Sequence, residues 1–83
     1  MHYTVASSPT VNDKLADIWL RATDRNAVRR ASDEIDQWLK YHPFQGGYPF
    51  GTARSLTIGP LTAIYKVSPD DRMVEILDYA YTP

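Results

Sequence analysis

The sequence predicts an α+β domain in which a hairpin of two helices packs on a small, mainly antiparallel sheet, in the order strand, helix, helix, strand, strand, strand. Three observations carry this. Two stretches, 11–22 and 27–41, repeat apolar residues at helical spacing. From Arg54 to Arg72, β-branched and apolar runs are broken by Gly59-Pro60 and by Ser68-Pro69-Asp70-Asp71, the composition of strands joined by turns. A strand-like segment precedes both helices, so the helical hairpin can serve as the crossover of a parallel pairing with a later strand, in a sheet of about four strands.

The first strand is read over His2-Tyr-Thr-Val-Ala6, with Tyr3 and Val5 on one face. Ser7-Ser8-Pro9 stops it and starts a helix: a serine hydroxyl can cap, and proline is tolerated in the first turn, where its missing N–H would have had no partner. Val11, Leu15, Ile18, Trp19 and Ala22 form the apolar stripe of this helix, which runs to about Arg21. Thr23-Asp24 offers the next cap, and Ala27, Val28, Ala31, Ile35, Trp38 and Leu39 carry a second stripe to about Tyr41. So short a connection makes the two helices antiparallel. Both tryptophans lie on the stripes and are expected in the core.

His42 to Gly51 reads as a Gly- and Pro-rich loop, long for a small domain, that either rims a sheet cleft or is held to the core by its aromatics. Strands follow over Ala53–Ile58, Leu61–Val67 and Arg72 to about Tyr79. In the middle one Leu61, Ala63, Tyr65 and Val67 share a face, and Thr62, Ile64 and Lys66 share the other, more open one.

A chain of 83 residues forms one domain, 1–83, with a small core. Cysteine is absent, which excludes disulfides, thiol catalysis and Cys-based zinc sites. His2 and His42 are the only histidines and make no triad; a histidine at a helix end is more simply a cap. Asp33 and Asp36 share a helix face but lack a third metal ligand. The glycines from Gly46 to Gly51 lack the Lys-Ser/Thr of a phosphate loop, so no metal or small-molecule cofactor is implied. With a net charge of −1 there is no global field toward nucleic acid, and no apolar run of membrane-spanning length occurs. The opening residues lack a signal-peptide pattern, and the expected location is the cytoplasm.

The order of elements, with Tyr3-Thr-Val5, Leu15-Ala-Asp-Ile-Trp19, Ile35-Asp-Gln-Trp-Leu39, Arg54-Ser-Leu56, Gly59-Pro-Leu61, Ile64-Tyr-Lys-Val67 and Asp70-Asp-Arg-Met-Val-Glu-Ile76, resembles the RelE/ParE superfamily of type II toxins, often labelled plasmid-stabilisation proteins. The resemblance implies a toxin neutralised by a cognate antitoxin. In one branch of that superfamily the toxin is an mRNA interferase cleaving ribosome-associated mRNA through basic residues on the open sheet face; in another it poisons gyrase without that chemistry. The sequence departs from the ribonuclease pattern at Thr62, where a central-strand arginine is expected, and in its short segment from Tyr79 to Pro83.

Cleavage by 2′-hydroxyl attack needs a proton acceptor, cations for the charge on phosphorus, and an acid for the leaving oxygen. Arg54 and Tyr81 are the candidate catalytic residues, and Lys66 and Arg72 the candidate RNA-binding ones. Arg21, Arg25 and Arg29, spaced by four, are the candidate antitoxin-binding surface; more simply they form a solvated face with Asp17, Asp24 and Asp33. The leading reading is a toxin acting on ribosome-associated mRNA. The alternative is a non-catalytic interaction protein on the same fold, a gyrase-type poison or a degenerate toxin that only binds its partner.

Overall fold

The computed structural model describes residues 2–45 and 47–82. Strand β1 (Thr4–Ser7) leads into helices α1 (Pro9–Arg21) and α2 (Arg25–Tyr41), and then into β2 (Tyr48–Phe50), β3 (Ala53–Ile58), β4 (Leu61–Ser68) and β5 (Met73–Tyr81). The sheet order is β1-β5-β4-β3-β2, with β1 parallel to β5 and every other pair antiparallel. The helical hairpin is thus the crossover that the sequence order permits. The sheet has five strands: Tyr48–Phe50, inside the segment expected to be a loop, pairs with Ala53–Ser55. A three-residue edge strand containing Pro49 has almost no local signal, and pairing with a neighbour creates it.

Both helices start where side chains supply caps. The Ser8 hydroxyl accepts from the Val11 N–H with Pro9 in the first turn, and Asp24 accepts from the Ala27 N–H at 3.0 Å. The His42 backbone N–H closes α2 by donating to the Trp38 carbonyl.

The core lies between the hairpin and one sheet face, where Ile35, Leu39, Leu61, Tyr65 and Val74 are almost wholly buried. On β4 the buried set is Leu61, Ala63 and Tyr65, as alternation requires. Strand β5 keeps Val74, Ile76 and Tyr79 inward by means of a bulge: Tyr65 lies opposite Ile76 and Ile64 opposite Asp78, so Leu77 is the extra residue. Beside the bulge, Lys14 on α1 reaches Asp78 at 2.6 Å, and that hydrogen bond is the main reason the Asp78 carboxyl is held below its ordinary range.

The tryptophans are not core residues. Trp19 is 40% and Trp38 37% exposed, and Phe44 is half exposed, whereas among the described side chains the buried aromatics are Tyr65 and Tyr79. The apolar stripes are wider than the sheet can cover, and the smaller aliphatic residues take the covered centre.

Ile35→Ala should lower the unfolding free energy by about 2–5 kcal/mol in urea titration, because a fully buried branched side chain is replaced by a void. The Tyr79 phenol is pushed up to about 12, first by burial and then by the Asp36 carboxylate. A phenol whose folded value is raised favours the fold up to its unfolded value near 10 and loses that contribution as pH climbs through 12. NMR titration of the Tyr79 ring should show this displaced midpoint, with alkaline unfolding setting in over the same interval.

Candidate functional site

Residues directly opposite one another in a ladder share a face, so the register assigns each candidate to a side of the sheet. Lys66, opposite Glu75, is on the open face, as its parity with Thr62 and Ile64 predicts. Arg54 is opposite Tyr65, which is wholly buried under the helices, so Arg54 belongs to the helix-covered face. Tyr81, opposite Leu61, is on that covered side too. Arg72 sits in the β4–β5 turn with φ of 51°, and β5 begins one residue later.

The structure therefore does not gather these four. Arg54 and Tyr81 are two strands apart and four residues out of register, roughly 16 Å between backbones by sheet geometry. Arg72 and Tyr81 stand at opposite ends of β5, roughly 30 Å apart by strand rise. Across the described strands the open face offers Lys66 as its one cation, among Ser55, Thr57, Thr62, Ile64, Met73 and Leu77. Thr57 and Thr62 share a hydroxyl–hydroxyl hydrogen bond of 2.7 Å, so the position of the expected arginine is tied to its neighbour.

Arg54 has a different task. Its Nη2 donates to the Phe44 carbonyl at 3.1 Å and the Gly47 carbonyl at 3.2 Å, while its guanidinium lies over the Phe44 ring at 6.0 Å. Beside it the Tyr65 hydroxyl donates to the Pro43 carbonyl at 2.9 Å, and Trp38 Nε1 donates to the Gln45 carbonyl. Three side chains from α2, β3 and β4 thus hold the segment from Pro43 to Gly47 by its carbonyl oxygens. Gly47 fits because a Cβ there would strike the Tyr65 hydroxyl and press on the Ser55 carbonyl. Gly46 lies outside the described residues. Tyr65 and Trp38 were not singled out as functional by the sequence; a tyrosine on the buried face of a central strand signals that its hydroxyl needs a partner.

The helical arginines do not form one surface: Arg21 lies about half a turn around α1 from Trp19, on the Asp17 side. Arg21 pairs with Asp17 at 3.2 Å, and Arg25 lies 5.0 Å from the Trp19 ring while donating to the Leu20 carbonyl. A groove of about 330 Å³ runs between the helices, lined by Leu15, Ala16, Trp19, Val28 and Arg29. Trp19 and Leu20 stand exposed beside it. Apolar floor and basic margin coincide there.

No protein-family model and no curated protein sequence matches the chain. Solved structures do. A chain of the RelBE2 toxin–antitoxin complex from Mycobacterium tuberculosis superposes with a TM-score of 0.80 at 18% identity, covering 98% of this chain and 92% of that one. A chain of the archaeal RelE–RelB complex from Pyrococcus horikoshii OT3 gives 0.70 at 21% identity, covering 98% and 96%. The fold is RelE-like: two helices on a five-stranded, mostly antiparallel sheet.

Arg54→Ala should free the Pro43–Gly47 segment, raising backbone hydrogen exchange there and costing about 1–3 kcal/mol in stability, since two carbonyls lose a charged donor. Lys66→Ala, on the open face, should leave both measurements nearly unchanged.

Proposed function

We propose that this protein is the toxin-like member of a toxin–antitoxin pair, neutralised by an antitoxin whose acidic, amphipathic segment lies along the helical hairpin. The observation that carries this reading is a RelE-like fold whose exposed hairpin groove joins an apolar floor to a basic margin of Arg29 and of Arg25, which lies over Trp19. An amphipathic helix binds such a groove through its apolar face, and acidic residues flanking that face would meet the arginines.

Its action on a target is by binding and not by RNA cleavage. Phosphoryl transfer from RNA requires converging cations with a proton acceptor and donor. Here Lys66 is opposite Glu75, and Arg54 and Tyr81 lie on the covered side. An open face of Thr57, Thr62, Ile64, Met73 and Leu77 suits a protein surface, as in a gyrase-type poison, better than a phosphate backbone.

Induced expression should slow growth, and co-expression of the antitoxin-like product of an adjacent reading frame should relieve it. Trp19→Ala combined with Arg29→Glu should abolish that relief, and primer extension on cellular mRNA should find no new ends. New ends that vanish in Lys66→Ala would establish the ribosomal mRNA reading over this one, and growth indifferent to expression would remove the toxin reading altogether.

A further inference from the structure

Helix α2 has a second groove, on the flank away from α1. Glu34, Trp38 and Tyr41 recur at the i, i+4, i+7 spacing that lines one side of a helix, and Arg29 of the hairpin groove is on the other side. With His42 at the helix end and Ile58 at the end of β3 they line a groove of about 460 Å³. Trp38, Tyr41 and Ile58 make its apolar part, and Asp33, Glu34 and Gln37 its polar margin.

The aromatic walls are set before any partner arrives. Trp38 donates from Nε1 to the Gln45 carbonyl and lies tilted against the His42 ring at 5.3 Å. Tyr41 has the Lys40 ammonium over its ring at 5.5 Å and the His2 ring against it at 6.4 Å. Held in this way, the two rings still expose 37% and 49% of their surface. Clustered apolar surface of this kind marks a docking site, and rings already fixed lose little freedom when one is filled.

Charge decides which partner fits. Asp33 and Glu34 are exposed, and neither joins an ion pair among the described residues. Arg30, one turn before Glu34, lies outside the lining and is not paired with it, and Lys40 is turned onto Tyr41. The lining therefore carries two carboxylates and no lysine or arginine. Such a margin repels nucleic acid and acidic peptides and complements lysine and arginine side chains. The two flanks of α2 are opposite in character, with Arg25 and Arg29 beside Trp19 and with Asp33 and Glu34 beside Trp38.

We propose that this groove docks a basic amphipathic helix of a protein partner. Its apolar residues pack on Trp38, Tyr41 and Ile58, and its flanking lysines or arginines meet Asp33 and Glu34. The surface is separate from the hairpin groove and does not depend on the toxin–antitoxin reading.

Each groove holds one of the chain's two tryptophans, so fluorescence separates them. In Trp19→Phe, Trp38 is the sole reporter. An amphipathic Leu–Lys peptide of about 15 residues, long enough to form a helix on docking, should shift its emission in a saturable way. The charge-reversed Leu–Glu peptide should bind at least about tenfold more weakly. Asp33→Lys combined with Glu34→Lys should weaken the Leu–Lys peptide at least about tenfold, while circular dichroism matches the parent because both positions are exposed. Trp38→Phe leaves Trp19 to report on the hairpin groove, so failure of an acidic segment to bind there is read separately from failure here. Equal binding of the two peptides at Trp38, unchanged affinity in the double lysine variant, or a dimer in sedimentation that Tyr41→Glu disperses, which would make a second copy the occupant, overturns the proposal.

Discussion

Tyr65 has its ring in the centre of the core and its hydroxyl at the core's edge, and a buried hydroxyl must find a partner or cost about 1–3 kcal/mol. The partner is the Pro43 carbonyl, in the loop that leaves α2. That one bond fixes where the chain turns back toward the sheet. Gly47 must then pass so close to the hydroxyl that no side chain fits, and Arg54, opposite Tyr65 in the ladder, is brought under the same loop to bind two more of its carbonyls. The short β2 follows from this geometry, because the loop delivers Tyr48 beside Ser55. Of the two readings of this Gly- and Pro-rich loop, the structure shows the held one: it is an anchored approach to an edge strand.

The same constraint separates charge from chemistry. Arg54 binds two loop carbonyls through Nη2 while its Nε is buried without a partner, and its place on the helix side removes it from the open face. The neutral open face and the basic hairpin groove are then two surfaces of different character on opposite sides of one sheet. One suits a protein target and the other an acidic partner, which is the division of labour that neutralisation without direct competition for the target would use.

Much of this was legible in the residues, and the failures are as physical as the successes. Ser8 and Asp24 announced their helices because capping is a local hydrogen bond. The pattern of β4 announced its two faces because alternation is geometric. Arg54 could have been assigned by the same rule, since it shares parity with the buried Leu56; grouping it with Lys66 by charge overlooked this. Trp19 and Trp38 were misplaced because periodicity shows which side of a helix is apolar, not how much of that side its partner covers. Neither β2 nor the bulge at Leu77 leaves a local mark, as both arise from pairing.

The parallel pairing of β1 with β5 has a consequence for how the chain reaches this state. Val5 lies beside Val74, so the first strand has no hydrogen-bonded neighbour until the last one has been synthesised. A ribosome releases the helical hairpin long before it releases β5, and through that interval the apolar stripe of α2 has no sheet to cover it. Contacts between such distant segments form late and slowly. Short helices without a packed face are marginal in water, so the hairpin groove takes its final form only when β5 arrives to complete the sheet beneath it.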